Sequence, residues 1–241
     1  MAGRTPDITA IITAHREGML AALSLHSLHR AVLEARAGGA EVQTIAVLDR
    51  PDAATTAVFR DRAGIIDSVH VVDFGDQGLA RNHAVELAAG EFVAFLDGDD
   101  LWSENWLHDA LAFTRGQSTA VISHPEFNWF FDGSNNIFIH TDQDSEDYSL
   151  DFLRFYNYWD ALCFAPRRAH LENPYCRRDI KGGFAFEDWH WNCETIAAGY
   201  THKVVPDTIH FKRRRAGSQT IEASATRSLM RPTALTRYTY Y

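Results

Sequence analysis

Four short apolar runs, each separated from the next by a helical repeat, constrain this chain more than any other feature. Residues 8–13 are rich enough in β-branched side chains to form a buried strand. Residues 17–37 then carry Leu20, Leu23, Leu28, Val32 and Leu33 at near-helical spacing before Gly38 and Gly39 close the element. The alternation repeats as strand 42–48, helix 52–63 opened by Asp52, strand 69–74, helix 79–89 ended by Gly90, and strand 91–96. Strands joined by crossover helices pair in parallel, because a parallel pair needs a long connection. The expectation is an α/β fold with a mainly parallel central sheet flanked by helices.

In such sheets the ligand crevice lies beyond the carboxyl ends of the strands. Segments 13–17, 49–52, 75–81 and 97–100 follow strands and are all rich in polar side chains. Neither a GxGxxG nor a GxxxxGK[ST] pattern is present, which argues against dinucleotide and P-loop sites.

The most concentrated chemistry lies at the end of the fourth strand, where the run Phe92-Val93-Ala94-Phe95-Leu96 leads into Asp97, Asp99 and Asp100. Carboxylates bunched so closely repel one another. A hard divalent ion, Mg²⁺ or Mn²⁺, offsets that repulsion and keeps coordination places for phosphate oxygens, which points to a nucleoside diphosphate site. Asp99 and Asp100 equally suit the N-cap of a helix over 101–107. An EF-hand loop is excluded, since Leu101 and Trp102 fall where it needs an oxygen ligand and a glycine.

Bulk properties narrow the class further. A chain of 241 residues with 46% hydrophobic content can bury a substantial core. Its net charge of −9 argues against a nucleic-acid surface, and the basic cluster at 212–215 suits a diphosphate better than a duplex. Cys163, Cys176 and Cys193 form no disulfide framework or CxxC pattern and read as reduced thiols. No apolar run approaches the roughly 20 residues of a membrane span, and the N-terminus lacks a signal-peptide core, so a cytoplasmic protein is expected. Beyond about residue 113 the periodicity breaks. Residues 127–136 read as a hairpin and 141–149 as an acidic loop, so this half is expected to fold onto the first as a smaller α+β part. The tail 222–241 either packs on this chain or leads into another domain.

The stretch Gly78-Leu79-Ala80-Arg81-Asn82-His83-Ala84, continuing through Gly90 to Phe95-Leu96-Asp97-Gly98-Asp99-Asp100, resembles the G-x-x-x-A-R-N … F-L-D-x-D-D signature of family 2 glycosyltransferases. Glu187-Asp188-Trp189 is similar to that family's Glu-Asp motif. His210-Phe211-Lys212-Arg213-Arg214-Arg215 resembles its closing segment, or the H-x-x-R of related enzymes. The first two strand ends depart from the family pattern: Thr13-Ala14-His15-Arg16-Glu17 stands in place of P-x-Y-N, and Leu48-Asp49-Arg50-Pro51-Asp52 in place of D-D-G-S-x-D.

The resemblance implies a GT-A fold, with a Rossmann-like sheet fused to an acceptor-binding part. A single domain would span 1–241, with a nucleotide-sugar half over about 1–100, an acceptor half over about 101–220 and the tail beyond. It implies an inverting, metal-dependent hexosyltransferase that moves a sugar from a nucleoside diphosphate, UDP first, to a glycan or lipid-linked hydroxyl. Such enzymes serve cell-surface polysaccharide synthesis, some at the inner membrane face. The implied donor-side residues are Thr13, His15, Glu17, Asp49, Arg81, Asp97, Gly98, Arg213 and Arg215. Asp99, Asp97 and His210 are implied as Mn²⁺ or Mg²⁺ ligands, and Asp188 as the base that takes the acceptor proton. Glu187, Trp189, Trp191 and Trp102 are the acceptor-side candidates, with Glu187 equally suited to capping its helix or holding a basic partner. A sugar-1-phosphate nucleotidyltransferase and a catalytically silent carbohydrate-binding module are the alternatives. The first lacks its glycine-rich N-terminal signature here; the second is opposed by Asp97, Asp99 and Asp188.

Overall fold

The structure, a computed structural model, describes residues 5–62, 64–214 and 219–236. Its first half runs β1 (Ile8–Ala14), α1 (Leu20–Ala37), β2 (Val42–Asp49), α2 (Ala53–Asp61), β3 (Ser68–Val72), α3 (Gln77–Leu87) and β4 (Phe92–Asp97). These are the expected strands and helices, with ends shifted by a few residues. β1 pairs in parallel with β2 and β4, and β2 with β3. The strand period of two sorts β1 onto two cores. Ile8, Ala10 and Ile12 pack with Leu25, Leu28 and Val32 of α1, whereas Ile11 packs with Ala80, Ala84 and Val85 of α3. Asp52 and Asp76 cap α2 and α3 by accepting from the amides of Thr55 and Leu79.

The second half does not start with a helix over 101–107. β5 (Leu101–Trp102) is a short strand and α4 (Trp106–Arg115) begins only afterwards. Leu101 and Trp102 face Phe211 and His210 across an antiparallel pair, a long-range partner that local propensity does not show. The chain continues with β6 (Val121–Asp132), β7 (Asn136–Ile139), α5 (Leu150–Leu153), β8 (Phe164–Pro166), α6 (Arg167–Glu172), β9 (Phe184–Ala185), α7 (Glu187–Ala197) and β10 (Thr201–Arg214). β6 and β7 form the expected hairpin. The sheet order is β3-β2-β1-β4-β8-β6-β10-β5, so a parallel block passes into a mixed one without a break between the halves.

The tail packs on this chain as far as it is described. After α8 (Gln219–Ala225), β11 (Leu229–Met230) pairs with β9, and Met230 and Leu235 pack on Leu153, Tyr158, Trp159 and Cys193. All three cysteines are free. Among the described residues no helix is long and apolar enough to cross a membrane.

Candidate functional site

A cavity of about 560 Å³ opens at the carboxyl ends of β1, β2 and β4. Its wall includes Thr13, His15, Glu17, Asp49, Asp97, Gly98, Asp99 and Arg213, which are eight of the eleven donor-side and metal candidates. Arg16, Arg50, Asp76, Gln77, Asp100, Arg178, Lys212 and Arg214 join them. Arg81 and His210 lie off that wall, and Arg215 lies outside the described residues.

Asp97 is held by three side chains. The Thr13 hydroxyl at 3.2 Å, the Gln77 amide at 2.6 Å and the Arg81 guanidinium at 2.8 Å all donate to its Oδ1. The next residue has to be glycine, because a Cβ on Gly98 would stand 2.8 Å from the Ala14 Cβ and 3.1 Å from the Thr13 carbonyl oxygen. Asp100 turns inward from the same loop. It accepts from the Arg213 amide at 2.8 Å and lies 3.3 Å from the Lys212 ammonium, while burial pushes its carboxyl up to about 7. Asp97 and Asp99 offer hard carboxylate oxygens on the wall. Among the described residues no group of three or more His, Cys, Asp or Glu is placed to hold a metal ion. A divalent cation at Asp97 and Asp99 would therefore complete its shell from diphosphate oxygens and water, the habit of Mg²⁺.

The Asp49 carboxylate accepts from the backbone amides of Phe74, Gly75 and Asp76 at 2.8–3.0 Å, so it shapes the loop after β3. The His15 ring donates to the Asp49 carbonyl, which ties the ends of β1 and β2 together. Arg213 donates to the Asp99 carbonyl and to the Asp132 carboxylate, so the carboxylate loop is fastened to the β6–β7 hairpin.

On the other side, Glu187 and Asp188 open α7. Glu187 is buried 3.9 Å from Arg81, so Arg81 stands between it and Asp97. Burial, and next to it the Glu187 charge, pushes the Asp188 carboxyl up to about 7. Asn157 donates to Asp188 at 3.3 Å and accepts from Asn192 at 2.9 Å, and Asn192 in turn donates to the Trp159 carbonyl.

The model of "Glycosyl transferase family 2" matches residues 9–161, more than half of the chain. The chain belongs to this family. Over 69 residues it is 36% identical to the "Putative teichuronic acid biosynthesis glycosyltransferase TuaG" of Bacillus subtilis (strain 168), a stretch that covers 27% of each protein. Its fold is similar to that of S. aureus TarS 1-349 solved with UDP-GlcNAc. The TM-score is 0.68 at 16% identity, over 91% of this chain and 61% of that one. It is also similar to the mannosyltransferase PcManGT from Pyrobaculum calidifontis, solved with GDP-Man and Mn²⁺. There the TM-score is 0.59 at 16% identity, over 87% of this chain and 57% of that one. These neighbours share the GT-A fold expected from the sequence, and the chain spans about three fifths of their length.

Within this family 2 glycosyltransferase, several expected site residues have other employment. His210 is fully buried between Trp102 and Trp106, its ring 4.9 Å from that of Trp106, and burial pushes its pKa down to about 3. It belongs to the core and not to the metal set. Trp102 stacks on it, 3% exposed, and presents no acceptor platform. Trp191 is likewise core, stacked on His170 and Tyr175, because the α7 face it shares with Asn192 turns inward. Trp189 is half-buried and donates to the Leu153 carbonyl at 2.7 Å. Arg81 is 3% exposed over the rings of Phe95 and Tyr175, so it braces Asp97 from behind the wall.

Sequence reasoning missed Lys212, Asp160, Asn157, Gln77 and Arg178. Lys212 was visible only as part of a basic cluster. Asp160 and Asn157 gave no signal, since each is defined by partners far away in sequence.

Proposed function

We propose that this family 2 glycosyltransferase takes a sugar from a nucleoside diphosphate donor, a UDP-sugar first, and transfers it with inversion to a hydroxyl of a glycan or lipid-linked acceptor. One observation carries the reading: a single cavity at the strand ends brings the carboxylates of Asp97 and Asp99 together with the cations of Arg178, Arg213 and Arg214. A divalent cation held by Asp99 and Asp97 would neutralise charge on the departing diphosphate. Thr13, His15, Glu17 and the loop shaped by Asp49 would receive the base and ribose, and Arg213 and Arg214 would close on the diphosphate. Asp188, with its proton affinity raised into the neutral range, would take the acceptor proton, and Asn157 would orient it.

The teichuronic acid biosynthesis assigned to the Bacillus subtilis relative supports an acceptor in cell-surface polysaccharide synthesis. Such an acceptor fits a cytoplasmic enzyme working beside the membrane. On this reading about 1–100 hold the donor and about 101–220 the acceptor, in one domain.

The test is thermal stabilisation by UDP, GDP, CDP, ADP and dTDP, each with and without Mn²⁺. A metal-dependent shift with UDP that disappears in Asp99→Ala supports the proposal. No shift with any of the five would sink it in favour of a silent module.

A further inference from the structure

Lys212 differs from the arginines around it. Its ammonium lies 3.0 Å from Asp160 and 3.3 Å from Asp100, its side chain is 18% exposed, and it forms part of the wall of the donor cavity. An ammonium carries three N–H donors, and both carboxylates lie within ion-pair distance of it. Asp160 is anchored in turn by the Asn128 amide at 2.9 Å and by the Leu162 backbone N–H at 2.9 Å. The ammonium is thus fixed from both sides. With Asp160 and Asp100 beside it, the trio has no surplus positive charge whether Asp100 is ionised or not. A phosphate would gain little attraction there. A neutral hydroxyl or amide oxygen, which needs only a directed donor, would gain a full hydrogen bond.

Strand order says which part of a donor would reach it. The neighbours run β2, β1, β4, β8, β6, β10. A base at the ends of β2 and β1 and a diphosphate at the Asp97–Asp99 turn after β4 leave the sugar extending towards β10, where Lys212 stands. Residues 157–160 also reach both sides of the reaction, giving Asn157 to Asp188 and Asp160 to Lys212. Lys212 and the proposed base are therefore positioned from one short stretch, where donor sugar and acceptor hydroxyl have to meet.

We infer that Lys212 determines specificity for the donor sugar, an N–H of its ammonium donating to a hydroxyl or acetamido oxygen of the transferred group while the ion pairs with Asp100 and Asp160 hold the ammonium in place. The inference rests on the nucleoside-diphosphate-sugar reading above.

The experiment measures thermal stabilisation of the whole chain in Mn²⁺ by UDP, UDP-glucose, UDP-galactose and UDP-N-acetylglucosamine, for the unaltered protein, Lys212→Arg and Lys212→Met. Arginine keeps a cation between the two carboxylates but relocates its donors. Methionine removes both, and if that chain does not fold, the arginine variant decides. In the unaltered protein one UDP-sugar should half-saturate at a concentration about tenfold or more below the others. In Lys212→Arg that preference should vanish or move to another sugar, with the UDP response itself kept, as expected when a hydrogen bond to substrate is misplaced. The inference is overturned if Lys212→Arg retains the original sugar preference, if it loses the UDP response together with the preference, or if the unaltered protein responds to UDP with no preference among sugars. An unaltered protein with no response to UDP would instead overturn the UDP-sugar reading on which the inference rests.

Discussion

Arg81 donates to Asp97 across 2.8 Å from a position almost closed to solvent, with Glu187 3.9 Å away on its other side. One guanidinium thus spans the carboxylate that borders the cavity and the residue that opens α7. Removing it leaves two carboxylates uncompensated, one of them buried. Arg81→Met should lower stability in urea unfolding by about 3–5 kcal/mol, the range for breaking a buried pair from one side. A chain of unchanged stability that had only lost nucleotide affinity would restore Arg81 to the phosphate-binding role suggested by its sequence motif.

Asp99 and Asp97 differ in what their loss should do. Asp97 receives three side-chain donors, so its replacement disturbs packing as well as chemistry. Asp99 is the cleaner probe. Asp99→Ala should fold, lose metal-dependent stabilisation by nucleotide, and lose transfer by about 100-fold or more, since metal neutralisation of a leaving group is worth several kcal/mol. Circular dichroism together with a transfer assay would check both halves, and full activity in this variant would refute the metal assignment.

The raised carboxyl of Asp188 gives a pH signature. A base works only when ionised, so kcat/KM should climb through about pH 7 and level off above it. Asp188→Asn should reduce the rate by about 10²–10⁴-fold and abolish that rise. Stability runs the other way. A carboxyl with a folded pKa above its unfolded value of about 4 binds its proton more tightly in the folded chain, so ionisation costs stability as pH rises from about 4 through about 7. Denaturant titrations at pH 5 and pH 8 should show a smaller pH dependence in Asp188→Asn than in the unaltered protein.

Gly98 has no room for a methyl group against β1. Gly98→Ala should displace the turn that carries Asp97 and Asp99, at about 1–3 kcal/mol of overpacking strain. The expected outcome is a lower thermal midpoint with a weakened nucleotide response, and an unchanged protein on both counts would contradict the packing described for this turn.

Trp191 separates core from acceptor site. Its ring is buried against His170 and Tyr175, so Trp191→Ala should cost about 3–5 kcal/mol of stability. Trp191→Phe, which keeps an aromatic ring there, should leave the acceptor KM unchanged. A raised KM in that folded variant would return Trp191 to the acceptor surface.

What the sequence made legible follows from how locally each feature is encoded. β1 to β4 and their helices were readable because each depends on a run of neighbours, such as apolar β-branched residues or Asp52 as a cap, although α3 stops at Leu87, ahead of the expected Gly90. The cavity wall at 13–17, 49 and 97–99 followed from strand ends alone. His210 and Trp102 were misplaced for the opposite reason. Trp102 follows the carboxylate run and His210 precedes the basic cluster, and only the antiparallel pairing of β5 with β10 turns them into the core. Lys212, Asp160 and Asn157 were illegible because their importance lies in contacts between residues far apart in the chain, which no spacing rule records.

The pairing of β10 with β6 carries a consequence for synthesis. β10 begins only after residue 200, yet among the described residues it is the sole hydrogen-bonded partner of β5, and its Arg213 amide fastens Asp100. Contacts of such long sequence separation form late, whereas the parallel block of β1 to β4 can be gathered as soon as it emerges from the ribosome. A nascent chain would therefore have Arg81 beside Asp97 well before Lys212 and the Arg213 amide arrive beside Asp100. The cavity becomes complete only when the last long strand docks.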